Sequence, residues 1–158
     1  DIAFLSGVPL STPNHWRYAA WREALSDHGL PVRDELVVDG LVSAHTDEAE
    51  GMRAANALLE RGVPFTAVYA LNDLMALGAI RALHNHGLRV PEDVSVVGCD
   101  RLKILQSTTP TLATMDIHGF EVGRFLMNAL IGKIAGCGVE PLTVHVDFVS
   151  GETIAPGR

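Results

Sequence analysis

Short apolar segments alternate with amphipathic helical segments along most of this 158-residue chain. Segments with the character of buried strands lie at Ile2–Leu5, Glu35–Val38, Phe65–Leu71 and Val94–Cys99. Each of the first three is followed by a segment of helical periodicity, which indicates βαβ units because parallel strands need a long crossover connection. The alternation therefore predicts an α/β fold with a parallel, doubly wound sheet.

The helical segments carry recognisable start signals and apolar faces. Asp47 and Glu50 form a capping box at the start of the second helix, and Asn72 with Asp73 can cap the third. Apolar residues recur every three or four positions, which predicts one buried face on each helix. The predicted inward positions are Trp16, Ala20, Ala24, Trp21 and Leu25 in the first helix, Met52, Ala55, Leu58 and Leu59 in the second, and Leu74, Leu77, Ile80 and Leu83 in the third.

The last third of the chain has a different pattern. Thr111–Ile117 is predicted to be a strand, and Thr143–Val149 alternates as a half-exposed edge strand does. Between them, Phe120–Ile134 is predicted to be an amphipathic helix. Its apolar stripe consists of Val122, Phe125, Leu126, Ala129, Leu130 and Ile134.

Composition narrows the functional classes. The formal net charge is −7, and a free-standing DNA-binding domain needs a basic surface instead. No apolar run approaches the roughly 18 residues that a membrane helix requires. Cys99 and Cys137 are expected to be reduced thiols of a cytosolic protein, although a single disulfide stays open. The chain opens on a predicted strand without methionine or signal peptide, so we expect a piece of a longer protein.

Polar residues follow the predicted strands at the edge where parallel sheets bind ligands. They are Ser6 after the first strand, Asp39 and Gly40 after the second, Asn72 and Asp73 after the third, and Asp100 after the fourth. Arg17 adds a cation on the first helix, close to Trp21. Together, such groups suit a hydroxylated ligand. Taken singly, Asn72 or Asp73 is explained as a helix cap, Asp100 as a turn residue and Arg17 as a solvated charge. Both interpretations stay open.

Other groupings carry less chemistry. His84 and His86 diverge on a helix and make a poor metal pair, and acidic residues beside His45 are explained by the helix dipole. Neither glycine-rich nucleotide-binding motif is present. Cys99 within an apolar strand is more typical of core than of a nucleophile. We therefore expect no metal, no cofactor and no catalysis.

Two longer motifs resemble one family. Residues 70–79 read Ala-Leu-Asn-Asp-Leu-Met-Ala-Leu-Gly-Ala, and residues 87–100 read Gly-Leu-Arg-Val-Pro-Glu-Asp-Val-Ser-Val-Val-Gly-Cys-Asp. Both resemble the LacI/GalR transcriptional regulators, and Ile2–Gly7, Arg17–Trp21 and Pro110–Gly123 are also similar. The resemblance covers nearly the whole chain in the right order.

The resemblance implies a type I periplasmic-binding-protein fold of two lobes, preceded by a helix-turn-helix DNA-binding domain that this chain lacks. The chain would be a partial effector-binding domain, with residues 1–104 and 143–149 in the C-terminal lobe. Residues 111–135 would cross to the missing N-terminal lobe. The helix 120–134 is therefore expected to leave its apolar stripe exposed in this chain.

The resemblance also implies site residues. Arg17, Asn72 and Asp100 match family positions that bind the effector, and His45 stands where an aromatic residue often stacks on the sugar. The helix face that meets the partner subunit in family dimers corresponds to Leu77, Ile80 and Arg81.

The implied function is sensing of a small-molecule effector, expected to be a sugar, by a cytoplasmic homodimeric repressor. The effector would change the lobe and dimer geometry, and operator DNA would be bound only through the missing N-terminal domain. The alternatives are a periplasmic sugar-binding protein of a transport system and, from a separate class, a small α/β hydrolase or transferase. The identity of the effector stays open.

Overall fold

The computed structural model describes residues 1–7, 15–40, 45–141 and 143–156. Helices and strands alternate through most of them. In chain order they are β1 (Ile2–Leu5), α1 (His15–Asp27), β2 (Val37–Val38), α2 (Glu48–Glu60), β3 (Ala67–Ala70), α3 (Asp73–Asn85), β4 (Ser95–Val97), β5 (Thr114–Asp116), α4 (Gly119–Ile134) and β6 (Asp147–Val149), with 3₁₀ helices at Asp34–Leu36 and Lys103–Ser107.

Four parallel strands form the main sheet in the order β2-β1-β3-β4. The chain leaves β1 for β2 on one side and then returns to β3 on the other, so right-handed crossovers place α1 and the pair α2–α3 on opposite faces. The α1 face carries Phe4, whose ring lies 5.9 Å from the rings of Tyr18 and Trp21. The predicted parallel, doubly wound α/β sheet is confirmed.

Strand β4 has backbone partners on both sides. It pairs with β3 along one edge, while on the other edge the Val96 N–H donates to the Thr153 carbonyl at 2.8 Å and the Gly98 N–H donates to the Ala113 carbonyl at 3.0 Å. The apolar run at 94–99 is therefore central, as predicted. Ala113 leads directly into β5, which pairs with β6 in a separate antiparallel sheet.

Every strand after β1 is shorter than the segment that the sequence pattern predicts for it. The segment 35–38 forms a 3₁₀ turn and only two strand residues, because the turn already buries Leu36. In the segment 143–149 only Asp147–Val149 is paired, and the side chains of Val146 and Phe148 are exposed. Alternation reports the pleat of a strand but not the presence of a surface to cover one face.

Helix faces agree with the periodicity in part. On α1, Trp21 and Leu25 are buried, but Trp16 is 78% exposed and Ala20 and Ala24 face solvent with it. The helix presents only one stripe to the sheet, and Trp16, Ala20 and Ala24 lie outside that stripe. On α3, Ile80 and Leu83 are buried and Leu74 and Leu77 are half-buried, while four residues outside the predicted face are fully buried: Met75, Ala76, Ala79 and Ala82.

The helices α2 and α3 pack with their backbones in contact. A Cβ at Gly78 would overlap the Glu48 carbonyl oxygen and lie 2.7 Å from the Met52 nitrogen. A Cβ at Gly51 would likewise overlap the Met75 carbonyl oxygen. These two glycines set the distance between the helices, because any side chain at either position meets main-chain atoms that cannot rotate away.

Helix α4 is described along its whole length and contains no buried residue. Of its predicted stripe, Val122, Phe125 and Ala129 are half-buried. The expected exposure of apolar side chains is confirmed, and it extends to residues outside that stripe. The exposed apolar residues of α4 are Phe120, Leu126, Met127, Leu130, Ile131 and Ile134.

Candidate functional site

The carboxyl ends of β1 and β3 meet where the strand order reverses, which is the ligand-binding position in open parallel sheets. Ser6 follows β1 and is fully buried. Arg17 reaches this point from α1, and its Nη1 donates a hydrogen bond to the Leu71 carbonyl at 2.7 Å. The structure thus fixes a guanidinium directly at the end of β3, beside Asn72. Leu71 is the only hydrogen-bond acceptor that the described part of the chain gives Arg17, so most of its five N–H donors are left for a ligand.

Asn72 is the N-cap of α3. Its Oδ1 accepts from the Met75 N–H at 2.9 Å, and its Nδ2 donates to the Thr46 carbonyl at 2.8 Å. The capping interpretation is therefore correct for this residue. The two bonds hold the carboxamide rigidly and leave one N–H and one oxygen lone pair, which a ligand can use.

Asp73 organises the loop after β4 from a fully buried position. Its backbone N–H donates to the Cys99 carbonyl at 2.8 Å. Its carboxylate accepts from the Leu102 N–H at 2.8 Å and from the Thr114 hydroxyl at 2.5 Å. Burial raises the pKa of this carboxyl above its usual range. Asp73 therefore acts on the site through its neighbours, whereas the sequence pattern grouped it with Asn72 as a ligand candidate.

Asp100 is half-buried at the end of β4. Burial raises the pKa of its carboxyl, while the positive charge of Arg17 opposes that rise. Its backbone has φ = 115°, a conformation that residues other than glycine rarely adopt. Arg17, Asn72 and Asp100 therefore lie at one edge of the sheet, as the sequence reasoning expected.

His45 lies at the same edge. Its carbonyl oxygen is 3.1 Å from the position that a Cβ on Gly7 would occupy, and its side chain is exposed. Gly7 itself has φ = 68° and a Cβ there would overlap the Met75 sulfur. The segment before α2 therefore lies close to Gly7, directly after β1.

Tyr69 is the site residue that the sequence reasoning missed. Its ring lies 5.2 Å from that of Phe4 in an edge-to-face arrangement. Burial raises the pKa of its hydroxyl, and the charge of Arg17 opposes this rise. The available signal was its place in β3, where the side chain alternates with those of Val68 and Ala70 and so points to the α1 face.

Trp21 follows Arg17 by one turn of α1, but its side chain does not lie at the site. Its indole ring stacks on Tyr18 at 5.8 Å and is buried. Its Nε1 has no hydrogen-bond partner among the described residues. Trp21 therefore belongs to the core.

Comparison with known proteins identifies the family of this chain. The family model for the periplasmic binding protein-like domain matches residues 1–153. The chain belongs to this family. The HTH-type transcriptional regulator AscG of Escherichia coli (strain K12) is 37% identical over 141 residues, which cover 89% of this chain and 41% of that protein. The chain spans less than half the length of the curated relatives that it matches.

Solved structures of LacI-family regulators are similar to this periplasmic binding protein-like domain. A sugar-binding transcriptional regulator of the LacI family from Escherichia coli, complexed with phosphate, has a TM-score of 0.84 and 35% identity and covers 98% of this chain and 55% of its own. The complex of the transcriptional regulator CelR with cellobiose has a TM-score of 0.85 and 31% identity, over 96% of this chain and 46% of that one. The resemblance to the LacI/GalR family is therefore confirmed.

The remaining reactive groups of the periplasmic binding protein-like domain are placed structurally. Cys99 is buried and burial raises the pKa of its thiol, which disfavours a nucleophilic role. Cys137 is exposed, and both cysteines are free thiols. Asp47 caps α2 by accepting from the Glu50 N–H at 2.9 Å, while both oxygens of Glu50 bond to Arg53. The structure therefore shows the Asp47 half of the predicted capping box, whereas the Glu50 side chain pairs with Arg53.

His84 in the last turn of α3, His86 just after that helix, and the residues predicted at the dimer contact lie at or near the surface of this domain. His84 and His86 are exposed, and the latter contacts Asn56 at 3.1 Å. Leu77 is half-buried and Arg81 is exposed, 3.4 Å from Glu48. Ile80 is only 8% exposed, so the chain itself already covers most of its side chain.

Two kinds of feature are absent from the described residues. Among residues 1–7, 15–40, 45–141 and 143–156, no group of three or more His, Cys, Asp or Glu is placed to hold a metal ion. Within the same ranges, none of the helices combines the length and the apolar character needed to cross a bilayer.

Proposed function

We propose that this domain senses a small-molecule effector, a sugar, for a LacI-type transcriptional regulator. The observation that carries the proposal is the position of Arg17, bonded to the Leu71 carbonyl at the point where the strand order reverses and electrostatically coupled to Asp100. The similar proteins support it, since one is a sugar-binding LacI-family regulator and another is in complex with cellobiose. Their regulatory role also favours this function over sugar transport and over catalysis.

Each rim residue would contribute a distinct interaction. The Asp100 carboxylate accepts hydrogen bonds from two neighbouring hydroxyls, and the Arg17 guanidinium donates to hydroxyl or ring oxygens. The free N–H of Asn72 adds a donor held in place by the helix cap. Tyr69 offers an aromatic ring next to these groups, and exposed His45 lies at the opening.

The proposed domain organisation follows the exposure of α4. Residues 1–104 and 143–149 would form one lobe, and residues 111–135 would cross to a second lobe that covers the exposed apolar side chains of α4. A helix that is apolar over more than half of its circumference needs cover on two sides. Leu77, Ile80 and Arg81 would lie at the contact between two copies of a cytoplasmic homodimer.

Regulation would arise from the effector's different affinities for two arrangements of the lobes. Binding between them would change their relative angle, and so the spacing of the DNA-binding parts of a dimer. Operator DNA would be bound only through a segment outside this acidic domain.

Thermal shift of the intact protein with a panel of monosaccharides, disaccharides and sugar phosphates tests the proposal, because a ligand of the native state raises the melting temperature. Calorimetry then compares the wild type with Asp100→Ala, which we expect to weaken binding by about 2–3 kcal/mol. Glu92→Gln is the matched control, since Glu92 is an exposed carboxylate before the amino end of β4. A panel without any stabilising saccharide, or equal affinity in Asp100→Ala, would discard the proposal.

A further inference from the structure

Two carboxylates face each other across the antiparallel pair β5–β6. The register places Asp116 directly opposite Asp147. Like charges at such paired positions destabilise a sheet, and this sheet has only three residue pairs to hold it. The pair therefore depends on compensating positive charge.

Two side chains supply cationic or hydrogen-bonding groups to these carboxylates. Arg101 forms an ion pair with Asp116 through Nη1. His118 Nε2 lies 2.9 Å from Asp147 Oδ2, and its Nδ1 lies 3.8 Å from Asp116 Oδ2. The His118 backbone N–H donates to Asp116 Oδ1 at 2.8 Å. Arg101 and this N–H hold the pKa of Asp116 below its usual range.

The same contacts join the effector rim to β5. Arg101 directly follows Asp100, and the Asp100 N–H donates to the Met115 carbonyl at 3.0 Å. Both residues have positive φ, 115° and 54°, which non-glycine residues adopt only when surrounding contacts impose it. Adjacent residues of the rim loop are therefore attached to adjacent residues of β5, one by its backbone and one by its side chain.

Helix α4 begins immediately after this cluster, at Gly119, and its backbone continues from His118. A shift of Arg101 would therefore reach β5, β6 and the first turn of α4 through direct contacts.

We propose that Arg101 is a positioning residue for effector binding: its ion pair with Asp116 holds Asp100 in the ligand-binding conformation and connects the rim to β5, β6 and α4. We define Arg101, Asp116, His118 and Asp147 as the crossing network. The inference rests on the proposed function, since Asp100 is taken as an effector contact. It adds a residue that does not itself touch the ligand.

Hydrogen exchange without ligand is the first test, on the intact protein. In Arg101→Gln the amides of Asp100 and His118 should exchange at least about tenfold faster, because the acceptors Met115 and Asp116 are no longer held. Arg89→Gln is the control, since it breaks an exposed arginine–aspartate pair of 2.8 Å before the other end of β4. Unchanged exchange in Arg101→Gln overturns the proposal.

Affinity for the saccharide identified in the thermal-shift panel is the second test. Arg101→Gln and Asp116→Asn should each weaken binding about tenfold, and the double variant should be no weaker, since both remove one interaction. Additive losses in the double variant overturn the coupling of Arg101 to Asp116.

The two tests separate this inference from the function on which it rests. A wild-type protein that binds no saccharide overturns the proposed function and the positioning role, while the exchange data still decide whether Arg101 holds the loop. A wild-type protein that binds while Arg101→Gln binds equally well overturns the positioning role alone.

Discussion

Arg17 on α1 and Leu71 at the end of β3 are joined by a hydrogen bond of 2.7 Å from guanidinium to main-chain carbonyl. The two residues are 54 positions apart in the chain, and their contact places a cation at the point where the strand order of the sheet reverses. It also sets the electrostatics of the rim, because the charge of Arg17 opposes the burial-induced rise in the pKa values of Tyr69, Cys99 and Asp100.

Arg17→Gln should weaken effector binding by about 2–3 kcal/mol, because a charged donor is lost at a partly buried site. Calorimetry of the intact protein measures this loss. The matched control is Arg22→Gln, one turn further along α1, where the arginine pairs with exposed Asp34 at 2.6 Å. Equal losses in the two variants would show that helix α1, rather than the rim, responds.

Effector affinity should fall on acidification at a higher pH than an ordinary aspartate would cause. Ligand hydroxyls donate to the ionised carboxylate of Asp100, and burial raises the pKa of this group. Affinity is therefore constant above that pKa and declines as the pH falls through it. In Arg17→Gln the decline should begin at still higher pH, because the charge that opposes the rise is gone. Titration calorimetry across the acid range checks both expectations, and a pH-independent Kd would contradict them.

Asp73→Ala should lower the free energy of unfolding by about 2–4 kcal/mol, because the Leu102 N–H and the Thr114 hydroxyl lose their acceptor. Asp73→Asn should cost less, since it keeps one acceptor oxygen. Urea unfolding followed by circular dichroism gives both values. If the two variants unfold alike, the hydrogen bonds of Asp73 do not stabilise the loop after β4.

The free energy of unfolding should also depend differently on pH in the wild type and in Asp73→Asn. The pKa of Asp73 is raised in the folded state, so its contribution to stability is complete below the unfolded value of about 3.9 and is lost as pH rises through the folded pKa. Asp73→Asn cannot titrate and lacks this decline. The difference in unfolding free energy between wild type and variant should therefore shrink across that window.

Gly78→Ala should destabilise the domain by about 3 kcal/mol, because the new methyl group meets the backbone of α2. Gly123→Ala is the matched control, a helical glycine of α4 with no atom near the added Cβ. That substitution should stabilise by up to about 1 kcal/mol through helix propensity. Thermal unfolding of both variants measures the contrast, and similar melting temperatures would mean that α2 and α3 are not held at contact distance.

Local patterns account for the elements that the sequence reasoning placed correctly. β1 lies at Ile2–Leu5 as predicted, because a short apolar run bounded by Ser6 and Gly7 needs no distant information. The caps at Asp47 and Asn72 are formed within three residues of the chain. The common edge of Arg17, Asn72 and Asp100 was also predictable, since parallel strands end on the same side of a sheet.

Tertiary structure decided how each of these residues is used. Neighbours in sequence took different roles: Asp73 became a buried acceptor while Asn72 stayed at the rim, and Trp21 joined the core while Trp16 faced solvent. Asp116 lies opposite Asp147 only because of the register of β5 with β6. The Arg101 guanidinium compensates this like-charge pair through its ion pair with Asp116. Periodicity tells which side chains share a face of one element. Only the packing of elements far apart in the chain determines what that face meets, because burial and electrostatic interaction depend on distance in space.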